Sequence, residues 1–475
     1  MAPQNARRFT AGVGVTPARM GRVIGVVAII AAATLAPARA QTPVLGPFPS
    51  WPAGALEPAA VGPLSETVLK RARPDYDPLG IRMGSFIIHP TLAVAGTYDS
   101  NVFATPSATK SDFFVTEIPS LSIGSHWNQH ALALNPSGAF KQYASLSTEN
   151  VNNFTAEASG RYDISNGEYL SMDAIYELLH EDRQDPNSVF NATNPVFSTS
   201  KNPIEYKVMG ADLVYVHQKS RLGFRIDNTI TAYDFNNAST ASGVTIPENF
   251  RDRIEYVVAP RLNYEIIPGY NAFLRVIGNE RQYNSQEPGA GPPSPTFPGG
   301  QNLRRNSHGW EVDAGTAIEI TRITTAEVYV GYLKQYYENP LFKSPSGVGF
   351  GANLIWNVTP ITTIRGGFSQ AVAETTLVNA SSSVETSFQL TAEHELLRNL
   401  LLLASVGYVH DDYQQFGPAR SDNTFGVDAG ARYLLNRNWT ATLDVNYSQR
   451  DSSAGNVISG NYSRVQAIAS IKLGF

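Results

Sequence analysis

The chain has 475 residues, no cysteine, a net charge of −5 and a charged fraction of only 16%, against about 25% in soluble globular proteins. This mild charge gives no reason to expect nucleic acid as a partner. Asn, Ser, Thr, Gly, Tyr and Phe take the place of the missing charges. These are strand and turn residues, so the composition favours an all-β protein with one polar, weakly charged face.

The first forty residues read as a secretory signal peptide. Four arginines precede an apolar run from Val23 to Ala36, and a small-x-small cleavage site follows at Ala38–Ala40. An anchoring helix is the alternative, but Pro37 and the cleavage site favour removal and a mature start at Gln41. With no cysteine at that site, lipoprotein processing is excluded. No later apolar run is long enough for a membrane helix.

Residues 41–82 form a predicted periplasmic extension rich in proline and glycine, which is typical of an extended linker. Within it, "SETVLKRAR" lies between Pro63 and Pro74. Ser65 could cap a short helix that Pro74 ends. A solvated charged stretch explains the same letters equally well, so both alternatives stay open.

From residue 83 to 475 the chain alternates between apolar and polar residues. The pattern is clearest from Trp310 to Ile320, where Val312 and Ala314 share one face and Glu311 and Asp313 the other. We count about eighteen such segments (16–18), roughly eleven to sixteen residues each, a length that suits tilted membrane strands. Each strand therefore presents one face to an apolar medium.

The links between these segments alternate between tight and long. Tight links include "SNG" at Ser165, "PG" at Pro268 and "TRI" at Thr321, whereas "SQEPGAGPPSPTFPGGQNLRRN" is one of the long ones. This alternation predicts a transmembrane, antiparallel, up-and-down outer-membrane β-barrel with short periplasmic turns and long external loops. The sheet must close into a ring, because the hydrocarbon core offers no hydrogen-bond partner to the backbone groups of a free strand edge.

The chain ends within a strand, at Phe475. Val465, Ile471 and Leu473 alternate there with polar residues such as Lys472, so outer-membrane lipid is the predicted neighbour of the apolar face. Phe475 resembles the terminal aromatic residue that the barrel-assembly machinery of Gram-negative bacteria recognises. We therefore expect it to act as an assembly signal.

Charged residues on the polar faces are the candidates for lining a pore. The arginines fall on one run of strands, and acidic residues follow on the next strand. Facing positive and negative arcs would favour polar or anionic solutes, although the same charges could simply neutralise one another across strands, aided by Glu255, Asp227 and Glu265. The pore-lining candidates are Arg221, Arg225, Arg251, Arg253, Arg261, Arg275, Arg281, Glu311, Asp313, Glu319 and Asp444.

An enzyme is not expected, because neither "HEDR" at His180 nor "HDD" at His410 accompanies a recognisable nucleophile motif. His126 and His130 would share a helix face at this spacing, but they flank a predicted β-turn, so no metal site is expected. The sequence suggests no cofactor.

The segment from Arg73 to Phe103 resembles the opening of a putative β-barrel porin family of Proteobacteria. In that family an Arg-Pro-x-Tyr-Asp-Pro-x-Gly stretch precedes a first strand ending in Tyr-Asp-x-Asn-Val-Phe. "SHWNQHAL" at Ser125–Leu132 is similar to its next turn. The matching positions are Arg73, Pro74, Tyr76, Asp77, Pro78 and Gly80, then Tyr98, Asp99, Asn101, Val102 and Phe103.

The resemblance implies an outer-membrane barrel often found beside exopolysaccharide or capsule export proteins, with no known catalytic residue. Two functions follow as hypotheses. The first is a passive porin-like channel for polar solutes, with polysaccharide or oligosaccharide export as one use and export components as partners. The second is a non-conducting structural or adhesive barrel that acts through its external loops.

Overall fold

The computed structural model describes residues 67–186, 200–287, 302–320, 323–375, 377, 380–415, 419–455 and 460–475. The predicted signal peptide and most of the predicted extension lie outside these ranges, as do residues 321–322 of one predicted turn and parts of the long loops. The described chain is almost entirely β-structure, and none of its helices is long and apolar enough to cross a membrane.

Eighteen long strands form the architecture. They are β1 (Phe86–Asp99), β2 (Asp112–Ser125), β3 (Ala131–Tyr143), β4 (Val151–Ser165), β5 (Glu168–His180), β6 (Glu205–Gln218), β7 (Leu222–Phe235), β8 (Arg253–Ile267), β9 (Tyr270–Tyr283), β10 (Ser307–Ile320), β11 (Thr324–Tyr337), β12 (Ser346–Thr359), β13 (Thr362–Ala373), β14 (Ala380–Leu397), β15 (Leu400–Gln415), β16 (Ser421–Leu434), β17 (Trp439–Ser452) and β18 (Tyr462–Gly474).

Each strand pairs antiparallel with its neighbour in the chain, and β18 pairs with β1 from Thr91↔Gly474 to Asp99↔Gln466. The sheet is therefore a closed barrel, and the predicted fold is confirmed. Pro90, which donates no ladder bond, lies just beyond the part of β1 that β18 pairs with.

The first residues of β1 extend past the end of β18. A short strand, Ile81–Met83, pairs with Phe86–Ile88 and covers this stretch. We call Ile81–Met83 the covering strand.

Side chains alternate between the outer face and the lumen along every strand. In β1, Leu92 and Val94 are exposed on the outer face, whereas Ala93 and Thr97 are buried on the lumen side. In β10, Val312 is exposed and Asp313 is fully buried. The apolar face thus lies outside and the polar face inside, as the alternation predicts.

The links sort to the two ends of the barrel. Tight links such as Asn166–Gly167 and Pro268–Gly269 lie at one end, which we call the short-turn end, and the long links lie at the long-loop end. Gly167 and Gly269 have φ values of +74° and +83°, which glycine adopts without strain. Residues 238–239 and 245–246 pair within one long link.

Proline interrupts the hydrogen-bonded ladder between β2 and β3 twice. The paired positions run from Glu117↔Phe140 directly to Ser120↔Ser137, and then to Ile123↔Leu134. Pro119 and Pro136 lie in the two gaps, and proline has no N–H to donate. Pro260 causes a single gap between β8 and β9.

Candidate functional site in the lumen

Three arginines line up at one level of the lumen wall. Arg225 of β7 lies directly opposite Arg261 of β8, which lies opposite Arg275 of β9. Like charges directly across a sheet repel each other, so this row requires compensation from nearby carboxylates.

Carboxylates on the same wall supply that compensation. Arg261 forms two hydrogen bonds with Glu327 of β11, at 3.0 and 3.1 Å. Arg275 contacts Asp313 of the next strand at 2.8 Å, and Arg225 binds Asp227 on its own strand. Arg275 and Asp313 are thus the only two predicted pore-lining residues that these contacts join to each other, whereas Arg261 binds Glu327, which the sequence did not indicate. The effect of these charges on permeating ions stays a prediction.

Glycines on the same wall let large side chains lie flat. A Cβ added at Gly351 would lie 2.4 Å from the ring of Tyr329, and one at Gly315 would lie 2.5 Å from the ring of Phe273. A Cβ at Gly349 would meet the carboxylate of Glu311 at 2.6 Å. The absence of Cβ atoms therefore keeps these side chains against the wall and out of the lumen.

The remaining predicted lumen residues lie nearer the ends or on the other wall. Arg221 is exposed in the turn before β7, and Glu319 lies in β10 near the short-turn end. Asp444 lies in β17, against Gly430. Near the long-loop end, Arg281 forms an ion pair with Glu374 at 2.7 Å.

The wall formed by β1, β2 and β3 carries small, neutral side chains through its middle. Its lumen-facing residues there include Ala93, Ala95, Thr116, Ser120 and Ser137, and Ser122 donates a hydrogen bond to Asn135 at 2.8 Å. Its charged lumen residues, Asp99, Asp112 and Lys141, lie at the long-loop end.

At the long-loop end, Glu181–Asp185 leaves β5 and reaches the wall formed by β17 and β18. We call it the crossing segment. Arg464 of β18 binds Asp182 at 2.8 Å, and Arg450 of β17 donates to the backbone carbonyl of Gln184 at 2.6 Å. The contacts join walls several strands apart, so the segment spans part of this mouth.

A second set of ion pairs anchors the crossing segment on the arginine-rich side. Arg251 binds both Glu181 and Glu248 and stacks 3.9 Å from the ring centre of Phe235. Burial raises the pKa of Glu248 to about 7, although Arg251 opposes the shift. Burial also favours neutral Asp182, but Arg464 and Lys141 outweigh it and lower the pKa of Asp182 to about 2.

A cavity of about 170 Å³ lies beside these ion pairs. Its wall combines aromatic rings with charged groups. Arg253 lies over Tyr233, 3.9 Å from the ring centre, and contacts Glu255 at 2.6 Å. The cavity can hold a small polar ring between aromatic faces and hydrogen-bonding groups.

At the short-turn end, residues of the predicted extension enter the barrel. Thr67–Lys70, which we call the inserted turn, includes one turn of 3₁₀ helix at Val68–Lys70. The backbone N–H of Val68 donates to Thr363 at 3.0 Å and that of Leu69 to Glu393 at 2.9 Å. Val68 is fully buried, so this part of the stretch is not solvated. The short helix that the sequence allows is present only as this single turn after Thr67, and its predicted cap, Ser65, lies outside the described residues.

An ion pair between Arg73 and Glu395, at 2.9 Å, holds the chain just after the inserted turn. Nearby, the backbone N–H of Phe475 donates to the carbonyl of Pro90 at 3.2 Å, while its side chain is half exposed. The role of Phe475 as an assembly signal stays a prediction.

Sequence reasoning missed the crossing segment and the inserted turn as parts of the lumen. The signal available for the first was the charge cluster "HEDRQD" beginning at His180, which by itself indicates only a polar link after a strand. For the second it was an apolar pair, Val68 and Leu69, within a basic stretch. Neither pattern identifies a partner elsewhere in the chain.

Comparison with known proteins gives one match to a family. The family model described as "Putative beta-barrel porin 2" matches residues 73–475. A search of the curated proteins gave no match.

Solved outer-membrane barrels are similar at low identity. The outer membrane protein OpdK of Pseudomonas aeruginosa shares 10% identity, with a TM-score of 0.40, over 82% of this chain and 99% of its own. OccK2 of the same organism shares 9% identity, with a TM-score of 0.42, over 82% of this chain and 98% of its own. The unliganded ferric citrate transporter FecA shares 11% identity, with a TM-score of 0.43, over 86% of this chain and 80% of its own.

Proposed function

The chain belongs to the family described as putative beta-barrel porin 2, and from this premise we propose that it is a passive outer-membrane channel for polar solutes, with preference for anions. The row of Arg225, Arg261 and Arg275 across three neighbouring strands is the observation that carries this proposal. Cationic side chains at one level of a lumen lower the barrier for anions. Each arginine is paired with one carboxylate, so the row with its partners carries no net charge, and the proposed preference depends on which member of each pair faces the passing ion.

Conductance in planar bilayers tests the channel. The mature chain and a form lacking residues 41–82 should both conduct, and the truncated form should conduct more because the inserted turn is gone. If neither form conducts, the protein is the alternative: a structural or adhesive barrel that acts through its loops.

Ion selectivity tests the role of the arginines. Replacing Arg225, Arg261 and Arg275, the three members of the row, with Ala should lower the permeability ratio of chloride to potassium several-fold. Arg221→Ala is the matched control, because Arg221 is exposed in a turn outside the row. An unchanged ratio in the triple variant would mean that these charges only stabilise the barrel wall and do not select ions.

A second candidate cargo is an exopolysaccharide or oligosaccharide, since the cavity at the long-loop end offers the rings of Tyr206, Tyr233 and Tyr283 beside charged groups. Aromatic faces with nearby hydrogen-bonding groups suit a sugar ring. Blocking of the ion current by a neutral oligosaccharide, and loss of this block in Tyr233→Ala, would support this use. An equal block in the variant would contradict it.

A further inference from the structure

The seam between β2 and β3 has fewer ladder bonds than a complete pair of strands. Two gaps, at Pro119 and Pro136, separate short runs of paired residues. By contrast, β13 and β14 pair without a gap from Thr362↔His394 to Ala373↔Ser383. In hydrocarbon no water replaces a lost backbone bond, so separating the interrupted seam costs less free energy than separating a complete one.

A carboxylate lies beside this seam on the outer face. Glu117 of β2 is exposed, between Val94 of β1 and Phe140 of β3. It lies four residues along the same face from Phe113, one of the aromatic residues near the long-loop end. The described residues give it no ion pair or hydrogen bond. An ionisable side chain in contact with lipid is costly, and such residues usually mark a functional site.

Two hydroxyls on the lumen side lack hydrogen bonds within the part of the chain that the structure describes, and the outer face of the seam has a gap at Gly138. The hydroxyls of Thr116 on β2 and of Thr97 on the adjacent strand β1 are buried without a hydrogen-bond partner among the described residues. Gly138 leaves the gap without a side chain, and a Cβ placed there would lie 3.0 Å from the ring of Phe140. The ring of Phe140 therefore covers the gap from the outer face.

We propose that the β2–β3 seam is a lateral portal, through which long-chain amphiphiles with a cationic head group pass between the lumen and the outer membrane. The cationic head group binds the threonine hydroxyls on the lumen side and then the carboxylate of Glu117 on the lipid side. The tail passes into the membrane beneath the ring of Phe140. This route goes beyond axial passage of polar solutes and does not depend on it.

A reversible cross-link tests the portal. The chain has no native cysteine, so Ser120→Cys with Ser137→Cys places a single pair at facing positions of the seam. Ser369→Cys with Ser387→Cys is the matched control, since these lumen hydroxyls lie 3.0 Å apart across a complete ladder. Both variants are made in the full chain.

The readout is the entry of a dansyl-labelled long-chain alkylammonium into the outer membrane of intact Gram-negative cells. Oxidation of the seam pair should slow protein-dependent entry about tenfold by depleting the open state, and reductant should restore it. Conductance should be unchanged, and the control pair should have no effect on entry. Equal entry with the seam oxidised and reduced would overturn the proposal.

Glu117→Gln tests head-group recognition. The variant should lose its preference for the alkylammonium over a dansyl-labelled fatty acid, whereas Glu280→Gln, a change at an exposed glutamate near the rim, should keep it. A retained preference in Glu117→Gln contradicts the role of this carboxylate. Disulfide formation between two copies of Glu117→Cys would instead assign the seam to a subunit contact and overturn the portal.

Photolabelling gives a readout that does not depend on cross-linking yield. A photoreactive alkylammonium added to the same membranes should label lumen-facing residues of the seam, Ser120 and Ser137, in the unmodified protein. Label confined to outer-face residues would also overturn the proposal.

Discussion

The wall from β7 to β11 and the wall from β1 to β3 face the same lumen but are held together differently. In the first, long charged side chains such as Arg261 and Glu327 bridge several strands. In the second, small neutral side chains leave cohesion mainly to the backbone ladder, which Pro119 and Pro136 interrupt. The comparison shows that one barrel can contain a braced wall and a seam of low cohesion.

Removal of one partner from the braced wall should have the largest effect. Glu327→Ala leaves Arg261 buried and unpaired beside two other arginines, so the free energy of unfolding should fall by about 3–5 kcal/mol. Glu327→Gln keeps one hydrogen bond and should lose less. Urea unfolding in detergent micelles measures both. A loss in Glu327→Ala no greater than that of a surface substitution would remove the distinction between the walls.

The two anchors of the crossing segment at the long-loop end should respond differently to pH. The folded pKa of Glu248, about 7, lies above its ordinary value of 4.5, so the folded state retains a proton that the unfolded chain releases. The contribution of Glu248 to the free energy of unfolding should therefore be fully present below about pH 4.5. It should be lost as pH rises through 7, by up to about 3 kcal/mol.

Asp182 behaves oppositely. Its folded pKa is about 2 and its ordinary value 3.8, so its contribution is present above pH 3.8 and declines only as pH falls through 2.

Protease cleavage between residues 236 and 252, measured from pH 5 to 8 and corrected for the protease's own profile, should accelerate with pH. In Glu248→Gln the cleavage rate should not change with pH. The same increase with pH in this variant would assign the effect to another group.

A methyl group added at Gly351 should sharpen the comparison further. The new Cβ would displace the ring of Tyr329 from the braced wall, at a cost of about 1–3 kcal/mol, and push it into the lumen. Single-channel conductance should fall. Gly96→Ala on β1 is the matched control, because nothing lies within 4 Å of its Cβ position. Equal conductance in both variants would show that Tyr329 does not border the conducting path.

The smallest effect should come from Asn135→Ala. It removes the hydrogen bond from Ser122 across the β2–β3 seam, worth about 1 kcal/mol. Thermal unfolding of the variant should shift only slightly. A shift as large as that of Glu327→Ala would mean that this side-chain bond holds the seam closed.

The parts of the fold with regular periodicity could be predicted from the sequence. The alternation from Trp310 to Ile320 places Asp313 in the lumen and Val312 outside, as the structure shows. Periodicity shows which face each side chain lies on, because successive side chains of a strand point to opposite faces of the sheet.

The two mouths could not be predicted in this way. The contact between Arg464 and Asp182 joins residues far apart in the chain, and no local pattern marks one as the partner of the other. The inserted turn similarly depends on Thr363 and Glu393, which lie on distant strands. The arginines of the row were predicted to face the lumen, but their alignment at one height in the barrel was not. Cross-strand register depends on the exact turn lengths, which the sequence pattern does not fix.

The covering strand also bears on how the sheet avoids unwanted pairing. An unpaired strand edge is a template for other chains, and β1 must wait for β18, the last strand of the chain. Ile81–Met83 folds back on Phe86–Ile88 after a turn of two residues, so it forms by local contacts, which close faster than distant ones. Part of the first strand therefore carries its own partner from the start of assembly, and the same hairpin protects that edge after the barrel has closed.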